Sequence, residues 1–297
     1  MTYTSNAYAK INISLDITGK LPDGYHEMKM VMQTVSLSDE ITIKCESGRG
    51  ISVSAGLPYI PDDERNIAVK AANTFFDYTQ ISGYKTQISI KKNIPVCAGL
   101  GGGSADAACV LRMLNKIFDT GLDRKVLEAL GETIGSDVPF CIDGGTKLAE
   151  GRGEILTDLT PIKQSFVVIC KPAFSCSTPE LFALVKCKEI RSRPDTSGLI
   201  KALDEHDLSG IARRMYNVFE DILPYGMKKD VDEIKGVMIE FGALGATMTG
   251  SGSTVFGLFD NEAAAQNAFG KLKEDYEECF LAETVGRLQI HKYCTND

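Results

Sequence analysis

The sequence has 297 residues, of which 43% are hydrophobic and 24% charged, so its composition is that of a globular protein with one large domain or two smaller ones. The formal net charge of −8 argues against a general nucleic-acid binder, which would present a basic surface, but it allows a nucleotide in a small positive pocket. No stretch approaches the roughly 18 consecutive apolar residues of a membrane span, and no basic segment leads into an apolar run near the start, so we expect neither a membrane-bound nor a secreted protein.

The cysteines support the same expectation. Nine are present, without a C-x-x-C pair and without the spacing of metal ligands, and several, such as Cys109 and Cys170, stand in apolar stretches. Buried, reduced thiols are the usual interpretation of that pattern. We therefore expect a cytoplasmic protein.

Two kinds of periodicity alternate in the first half of the chain. Apolar and polar residues alternate in the segments that we predict as strands, which are 10–17, 40–45 and 86–92. Apolar residues recur every three or four positions in the segments that we predict as helices, which are 65–78, 105–118 and 123–134.

The second half continues the same interleaving. A buried strand is predicted at 165–170, a glycine-rich segment that becomes strand-like at 242–259, and a last strand near 287–293. Helices are predicted at 178–187, 197–204, 208–222, 229–241 and 261–275. Interleaved strands and helices without a repeat indicate an α/β fold. A soft boundary at 155–163 divides the chain into domains 1–158 and 159–297.

The most informative segment is IPVCAGLGGGSADAACVL, at 94–111, with four glycines in five positions just before a predicted helix. It lacks the lysine of a P-loop, since Ser104 and Ala105 follow Gly103, and counting six from Gly99 reaches a serine, so the dinucleotide-binding pattern fails as well. Unpaired amides at a helix start nevertheless favour an anion, and glycines let it approach the backbone. With Ser104 predicted as the N-cap, the run is expected to bind phosphate; a turn that serves only tight packing is the alternative.

Three segments together resemble the motifs of the GHMP kinases, a family of small-molecule kinases. AYAKINISLDI resembles the first motif, IPVCAGLGGGSADAA the central phosphate-binding motif, and GATMTGSGSTVFGLF the third, in the family's order and near its spacing. The resemblance covers nearly the whole chain. It implies two α/β lobes, the N-terminal one similar to an RNA-contacting ribosomal domain, with ATP and an alcohol meeting in the cleft between them.

Four further segments resemble the branch of the family whose alcohol carries a cytidine diphosphate: 21–37, 135–141, 149–154 and 177–182. By this resemblance Tyr25 stacks on the cytosine, His26 hydrogen-bonds its edge and Phe182 covers its other face, roles that suit an aromatic base. Without the resemblance, Tyr25 and His26 would be interpreted as part of a turn followed by a strand, and Phe182 equally as a core residue at helical spacing.

The resemblance also implies the catalytic groups. Asp137 is the candidate base, Lys10 its cationic partner, and Asn12 the residue that orients the accepting hydroxyl. A solvent-facing lysine at a strand end and an aspartate in a helix cap or turn are the alternatives. Pro139 is expected to limit helix formation and to favour an extended Val138.

The remaining assignments concern ATP, Mg²⁺ and the third motif. Residues expected near ATP by resemblance are Pro95, Gly99, Leu100, Gly101, Gly102, Gly103, Ser104, Asn66 and Lys92. The third motif, with Gly250 and Ser251, is expected on the substrate side or beneath the phosphate loop; a simple turn before a strand is the alternative. The metal ligands are undetermined. Ser104 is a candidate and Asp106 another, although Asp106 is also suited to complement the helix dipole. Ala105 replaces a serine that the family commonly has at this position.

The sequence thus predicts an ATP- and Mg²⁺-dependent kinase with a cytidine-bearing alcohol as substrate. Another GHMP kinase acting on a mevalonate- or homoserine-like alcohol and a non-catalytic ligand-binding protein of the same fold are the alternatives. An RNA-associated protein is disfavoured by the acidic balance. The oligomeric state is left open.

Overall fold

The computed structural model describes residues 1–22, 24–185, 190 and 192–288 and the backbone of 294–295, and it is of the α/β class expected from the sequence. The strands are β1 (Thr2–Lys20), β2 (His26–Ser47), β3 (Gly50–Ser54), β4 (Tyr84–Lys91), β5 (Thr146–Gly151), β6 (Ile155–Asp158), β7 (Phe166–Cys170), β8 (Tyr216–Asn217), β9 (Gly245–Met248), β10 (Val255–Phe259), β11 (Cys279–Val285) and β12 (Cys294–Thr295). The α-helices are α1 (Ile67–Thr79), α2 (Gly102–Ile117), α3 (Arg124–Glu132), α4 (Val138–Asp143), α5 (Thr178–Leu184), α6 (Thr196–Asp204), α7 (Leu208–Ala212), α8 (Tyr225–Glu240) and α9 (Glu262–Asp275). A 3-10 helix spans Val218–Ile222.

The sheet is built around the long antiparallel pair β1 and β2. β1 lies along one edge of β2, and the other edge is shared by β5 at 28–33, β11 at 34–35 and β4 at 40–47. Since β11 also pairs with β7, the sheet continues from β2 into the C-terminal β7–β10–β9 layer. The two halves of the chain are therefore joined by backbone hydrogen bonds.

β1 is irregular where it carries its polar residues. Its register with β2 shifts between Tyr8 and Lys10 and again between Asn12 and Ser14. Such bulges re-aim side chains. Lys10 and Asn12, two positions apart, share one face of the strand. The sequence predicts a half-buried strand here, but residues on both faces are buried, because one face meets the core and the other meets the third motif.

Helix α2 occupies the centre of the N-terminal half. Almost every residue from Ala105 to Ile117 is buried, not only the stripe expected from the spacing, because α1, α3, α4 and β1 surround it. A helix that is buried on all sides lacks the polar face on which an amphipathic pattern depends.

One prediction for the second half is wrong in detail, and another lies mostly outside the described residues. The helix expected at 208–222 is broken into α7, β8 and the 3-10 helix, because Tyr216 and Asn217 pair in parallel with β1 and the Asn217 side chain caps the 3-10 helix by accepting from Phe219 N. The last long strand, β11, ends before the range 287–293; of that range, residues 289–293 lie outside those described.

The division into domains 1–158 and 159–297 stays a prediction. β6 ends at Asp158 and β7 opens the second sheet layer, but β12 returns to pair with β1. Among the described residues, no helix is long and apolar enough to cross a bilayer.

The glycine-rich run and the third motif touch through their backbones. Gly99 has φ +74°, and a Cβ on it would lie 2.2 Å from the carbonyl oxygen of Thr249. Gly250, at φ +58°, would place a Cβ 3.0 Å from Gly99 Cα. Glycine is required at both positions because the two loops leave no room for a side chain between them.

We expect Gly99→Ala to destabilise the protein by more than the backbone conformation alone accounts for. The matched control is Gly83→Ala, since Gly83 has φ +87° but a Cβ there would meet no atom within 4 Å. A left-handed alanine costs about 1–2 kcal/mol, and forced overpacking adds about 1–3 kcal/mol. Urea unfolding of both variants measures the difference; equal losses would contradict the contact.

Candidate active site

A cavity of about 2060 Å³ lies where β1, the glycine-rich run, the α3–α4 connection, α5 and the third motif converge. Of the residues assigned from the sequence, the structure brings these to its wall: Lys10, Asn12, Tyr25, His26, Gly99, Gly101, Asp137, Phe182, Gly250 and Ser251. It does not bring Asn66, Lys92, Pro95, Leu100, Gly102, Gly103 or Ser104 there. The volume is enough for two ligands side by side.

Lys10 and Asp137 form an ion pair on the wall of the cavity. Lys10 Nζ lies 3.4 Å from Asp137 Oδ2, and the lysine side chain is 5% exposed whereas the aspartate side chain is 29% exposed. The ammonium is therefore largely removed from water, and the carboxylate faces the cavity. Lys10 is not the solvent-facing strand-end lysine that was the alternative.

Asp137 occupies the N-cap position of α4, yet its side chain makes no capping hydrogen bond. The carboxylate is directed to Lys10 instead, so the helix-cap alternative does not account for it. The expectation of an extended Val138 is wrong, because Val138 and Pro139 form the first turn of α4. Proline is tolerated there since the first turn needs no intrahelical N–H donor.

Asn12 connects the first motif to the third. Its Oδ1 accepts from Lys10 Nζ at 2.9 Å and from Gly250 N at 3.0 Å, and its own N–H donates to Thr249 Oγ1 at 3.0 Å. Asn217, which sequence reasoning missed, donates from Nδ2 to the carbonyls of Met248 and Gly250, both at 2.8 Å. The third motif is thus fixed beneath the phosphate loop and also lines the cavity.

The phosphate loop presents three adjacent backbone amides. α2 begins at Gly102 with Gly101 as its N-cap at φ 70°, so the prediction of Ser104 as N-cap is wrong. The first intrahelical bond runs from Ala105 N to Gly101 O, which places Gly102, Gly103 and Ser104 in the turn whose amides have no helical acceptor. Those amides, with the helix dipole behind them, suit a phosphate.

Packing explains some of the glycines but not all. A Cβ on Gly101 would lie 2.9 Å from Lys10 Cγ, and one on Gly102 would lie 3.1 Å from Ile94 Cγ2. At Gly103 the nearest atom is Ile67 Cγ2 at 3.4 Å, an ordinary contact, and the backbone is helical. The packing alternative therefore does not explain Gly103.

Lys92 lies below this loop in a buried cluster that we call the acid–lysine cluster, formed by Asp39, Lys92 and Asp106. Lys92 Nζ contacts a carboxylate oxygen of Asp39 and lies 2.8 Å from Asp106 Oδ2. Asp39 also accepts from the backbone N–H groups of Asn93 and Ile94. Asp39 was missed because nothing in the alternation of β2 distinguishes it. The cluster fixes the segment that leads into the phosphate loop.

The acid–lysine cluster has two carboxylates for one ammonium. Burial raises the pKa of Asp106 to about 8, with the Asp39 charge adding to this and Lys92 opposing it. Asp106 Oδ1 is buried and has no hydrogen-bond partner. The direction of this shift favours the protonated carboxyl, which is a poorer ligand for a metal ion than a carboxylate.

The other residues predicted to contact ATP make contacts within the protein in this conformation. Asn66 caps α1 by accepting from Ala68 N at 2.9 Å and donates to Pro61 O at 2.7 Å. Pro95 and Leu100 are buried, and the carbonyl of Leu100 accepts from Lys10 N at 3.0 Å. The assignment of Asn66, Lys92, Pro95 and Leu100 to ATP stays a prediction.

Tyr25, His26 and Phe182, the residues predicted to bind a base, all line the cavity. Tyr25 is 60% exposed, with the guanidinium carbon of Arg152 5.0 Å from its ring centre. The His26 and Phe182 rings stack at 4.9 Å, and Phe182 also meets Phe219 edge-on at 5.1 Å. In this conformation the His26 ring covers one face of Phe182.

Burial, and secondly the charge of Lys20, lower the pKa of His26 below its ordinary value of 6.5. The imidazole is therefore neutral at pH 7 and offers one donor and one acceptor. Ser251, the last of the predicted substrate residues, lies at the mouth of the cavity with its hydroxyl 2.7 Å from Thr178 Oγ1 of α5.

Oxygen ligands for a metal ion are few among the described residues near the cavity. Among the described residues, no three His, Cys, Asp or Glu side chains are placed to hold a metal ion together. Mg²⁺ commonly binds through substrate phosphates, water and one or two protein oxygens. The Ser104 hydroxyl beside the free amides and the cavity-facing carboxylate of Asp137 are oxygens of the required kind.

Comparison with known proteins agrees with this architecture. The family profile described as GHMP kinases N terminal domain matches residues 66–145, and the one described as GHMP kinases C terminal matches residues 199–278. The chain belongs to the GHMP kinase family, and it has the fold expected of that family.

Individual relatives narrow the comparison. The chain is 45% identical over 282 residues to the 4-diphosphocytidyl-2-C-methyl-D-erythritol kinase of Clostridium botulinum strain Loch Maree, covering 95% of this chain and 99% of that protein. A crystal structure of 4-(cytidine 5'-diphospho)-2C-methyl-D-erythritol kinase superposes with a TM-score of 0.80 at 29% identity, covering 95% of this chain and 99% of the other. Homoserine kinase from Cytophaga hutchinsonii shares the fold, with a TM-score of 0.75 at 20% identity and coverage of 99% and 97%.

We expect Gly103→Ala to raise the KM for ATP about tenfold without loss of stability, because the methyl group fits the protein but stands where a phosphate would approach the amides. Gly270→Ala in α9, where a Cβ would meet nothing within 4 Å, is the matched control and should leave the KM unchanged. Steady-state kinetics and thermal unfolding measure both effects. An unchanged KM in Gly103→Ala would place the phosphates elsewhere.

We expect the KM for the cytidine-bearing substrate to rise as the pH falls below 6.5, where His26 takes up a proton and loses its acceptor nitrogen. His26→Gln, which keeps a donor and an acceptor but does not titrate, should show a flatter profile. KM measured for both substrates between pH 5 and 8 tests this expectation. Parallel profiles in the two enzymes would remove His26 from base recognition.

Proposed function

We propose that this chain transfers the γ-phosphoryl group of ATP to the 2-hydroxyl of 4-diphosphocytidyl-2-C-methyl-D-erythritol, a step of the non-mevalonate route to isoprenoid precursors. The observation that carries the proposal is the Lys10–Asp137 pair, which faces a cavity that Gly99 and Gly101 of the glycine-rich run and an aromatic cluster also line. The relatives with 45% identity over nearly their full length carry the same kinase activity in their names.

The chain's residues divide the transfer between them. Asp137 accepts the proton of the attacking hydroxyl or orients that hydroxyl, and its exposed carboxylate faces the cavity for this purpose. Lys10 stabilises charge that develops on the transferring group. The new O–P bond forms as the bond to the β-phosphate oxygen breaks, and ADP leaves. Asn12 holds Lys10 in place through its Oδ1.

The phosphates of ATP lie on the amides of Gly102, Gly103 and Ser104 in this proposal. The Ser104 hydroxyl and those phosphates would hold Mg²⁺, which would supply positive charge to neutralise the phosphates. Lys92 and Asn66 are assigned to the surroundings of the nucleotide. Lys92 belongs to the acid–lysine cluster, and Asn66 caps α1.

The cytosine is assigned to Tyr25, His26 and Phe182. Tyr25 is exposed enough to accept a base on its ring, and His26 is neutral at pH 7 with a donor and an acceptor for the base edge. Mevalonate and homoserine have no base, so an aromatic cluster of this kind supports the cytidyl alcohol over those substrates.

The direct test is ADP release by the purified protein with Mg²⁺–ATP and, separately, 4-diphosphocytidyl-2-C-methyl-D-erythritol, mevalonate or homoserine. Release with the cytidyl alcohol alone is expected. Release with another alcohol would retain the kinase and reject the base pocket, and ATP binding without release in any mixture would favour a ligand-binding protein.

We expect Asp137→Asn to lower kcat by about 10²–10⁴-fold, the usual range for general acid–base catalysis, while ATP affinity changes little. Asp195→Asn is the matched control, because Asp195 is also an N-cap aspartate, its side chain accepts from Gly198 N, and asparagine preserves that bond. Turnover and calorimetric titration with ATP measure the two effects. Undiminished turnover in Asp137→Asn would remove this carboxylate from the chemistry.

A further inference from the structure

Asp137 is the N-cap of helix α4, and this helix is too short to be stable without tertiary contacts. It comprises six residues, Val138–Asp143, and isolated helices of this length are unstable in water. Its N-cap has no side-chain hydrogen bond, since the Asp137 carboxylate is directed to Lys10. The position of that carboxylate therefore depends on what contacts the rest of the helix.

The contacts are concentrated at the carboxyl end of α4. Arg112, buried in α2, donates from Nη1 to the carbonyl of Cys141 at 2.5 Å and to that of Ile142 at 3.2 Å. Asp143, the last residue of the helix, forms ion pairs with Lys147 at 2.8 Å and Arg287 at 2.7 Å. A cation suits this end because helix carbonyls carry partial negative charge there.

Two hydrogen bonds lead from Arg112 to the backbone of Asp137. The guanidinium binds the Cys141 carbonyl, and the Cys141 N–H donates to the Asp137 carbonyl at 3.2 Å. The guanidinium of Arg112 thus joins α2 to α4 through two hydrogen bonds.

Arg112 also lies on the helix that begins with the phosphate loop. It follows Ser104 by eight positions, which corresponds to about 12 Å along the axis of α2. One rigid, buried helix thus presents amides to the phosphoryl donor at its start and holds, two turns further on, the helix that carries the proposed base. The separation between donor and base is set by that helix and by the Arg112 contact.

We propose that Arg112 is a positioning residue that acts through α4 to hold Asp137 at the distance from the phosphate loop that phosphoryl transfer requires. The proposal rests on the proposed function, in which Asp137 acts on the attacking hydroxyl. A small displacement of a catalytic group lowers the rate of the chemical step far more than it weakens substrate binding.

The test compares Arg112→Met, Arg112→Lys and a control. Arg112→Met should lower kcat about 10–100-fold while both KM values stay within about threefold of wild type. Arg112→Lys keeps a charge and a donor for one carbonyl and should recover most of that loss. Lys171→Met, which removes a cation of 9% side-chain exposure paired with Glu278 at 2.5 Å in the C-terminal half, controls for lost stability and should leave kcat unchanged.

A double-mutant cycle with Asp137→Asn separates positioning from general damage. If Arg112 acts through Asp137, Arg112→Met should have little further effect on kcat in the Asp137→Asn background. Additive losses, an unchanged kcat in Arg112→Met, or raised KM values at unchanged kcat would each overturn the proposal. If Arg112→Met does not fold, Arg112→Lys enters the same cycle with an expected loss of about threefold, and the same outcomes decide.

The experiments distinguish failure of the proposed function from failure of the role proposed for Arg112. Wild-type protein without turnover on the cytidyl alcohol, or Asp137→Asn with full turnover, would reject the function or the base. Wild-type turnover and a slow Asp137→Asn enzyme, combined with a fully active and folded Arg112→Met, would reject the role of Arg112 alone.

Discussion

The amide oxygen of Asn12 is the contact on which the site depends. It accepts from the ammonium of Lys10 and from the backbone of Gly250, and so joins the first motif to the third. The third motif in turn touches Gly99, at the start of the phosphate loop, closely enough to exclude a side chain. Since a buried donor left without its acceptor costs about 1–3 kcal/mol, the loops and the lysine hold one another in place.

This arrangement requires several charged groups to be buried. Lys10, the acid–lysine cluster and the guanidinium of Arg112 are all removed from most of the solvent, and each is compensated by a carboxylate, an amide oxygen or helix carbonyls. A buried ion that loses its partner destabilises a fold by about 3–5 kcal/mol, whereas the intact pair contributes little. The structure therefore uses these charges to fix positions, and catalysis by positioning is what phosphoryl transfer needs.

The sequence identified candidate residues of the site, but it did not show how those residues contact one another. The glycine run predicts an anion cradle, which stays a prediction. Its N-cap was expected at Ser104, but Ser104 is the third helical residue, because α2 already begins at Gly102 with Gly101 as its N-cap. Val138 was expected to be extended, since proline usually opposes a helix, but Pro139 occupies a first turn where it does no harm. The helix predicted at 208–222 is interrupted because Tyr216 and Asn217 pair with β1. The periodicity of a segment does not show which distant strand it pairs with.

The sequence by itself determined the class of fold, the family and the candidate groups, because periodicity, glycine clusters and motif order are local properties of the chain. Tertiary structure alone decided that the Asp137 carboxylate turns from its helix to Lys10, that His26 rests on Phe182, and that Lys92 is enclosed by two acids. It alone placed Arg112 against α4. These contacts join residues far apart in sequence, and their geometry follows from how strands and helices pack, which no single segment specifies.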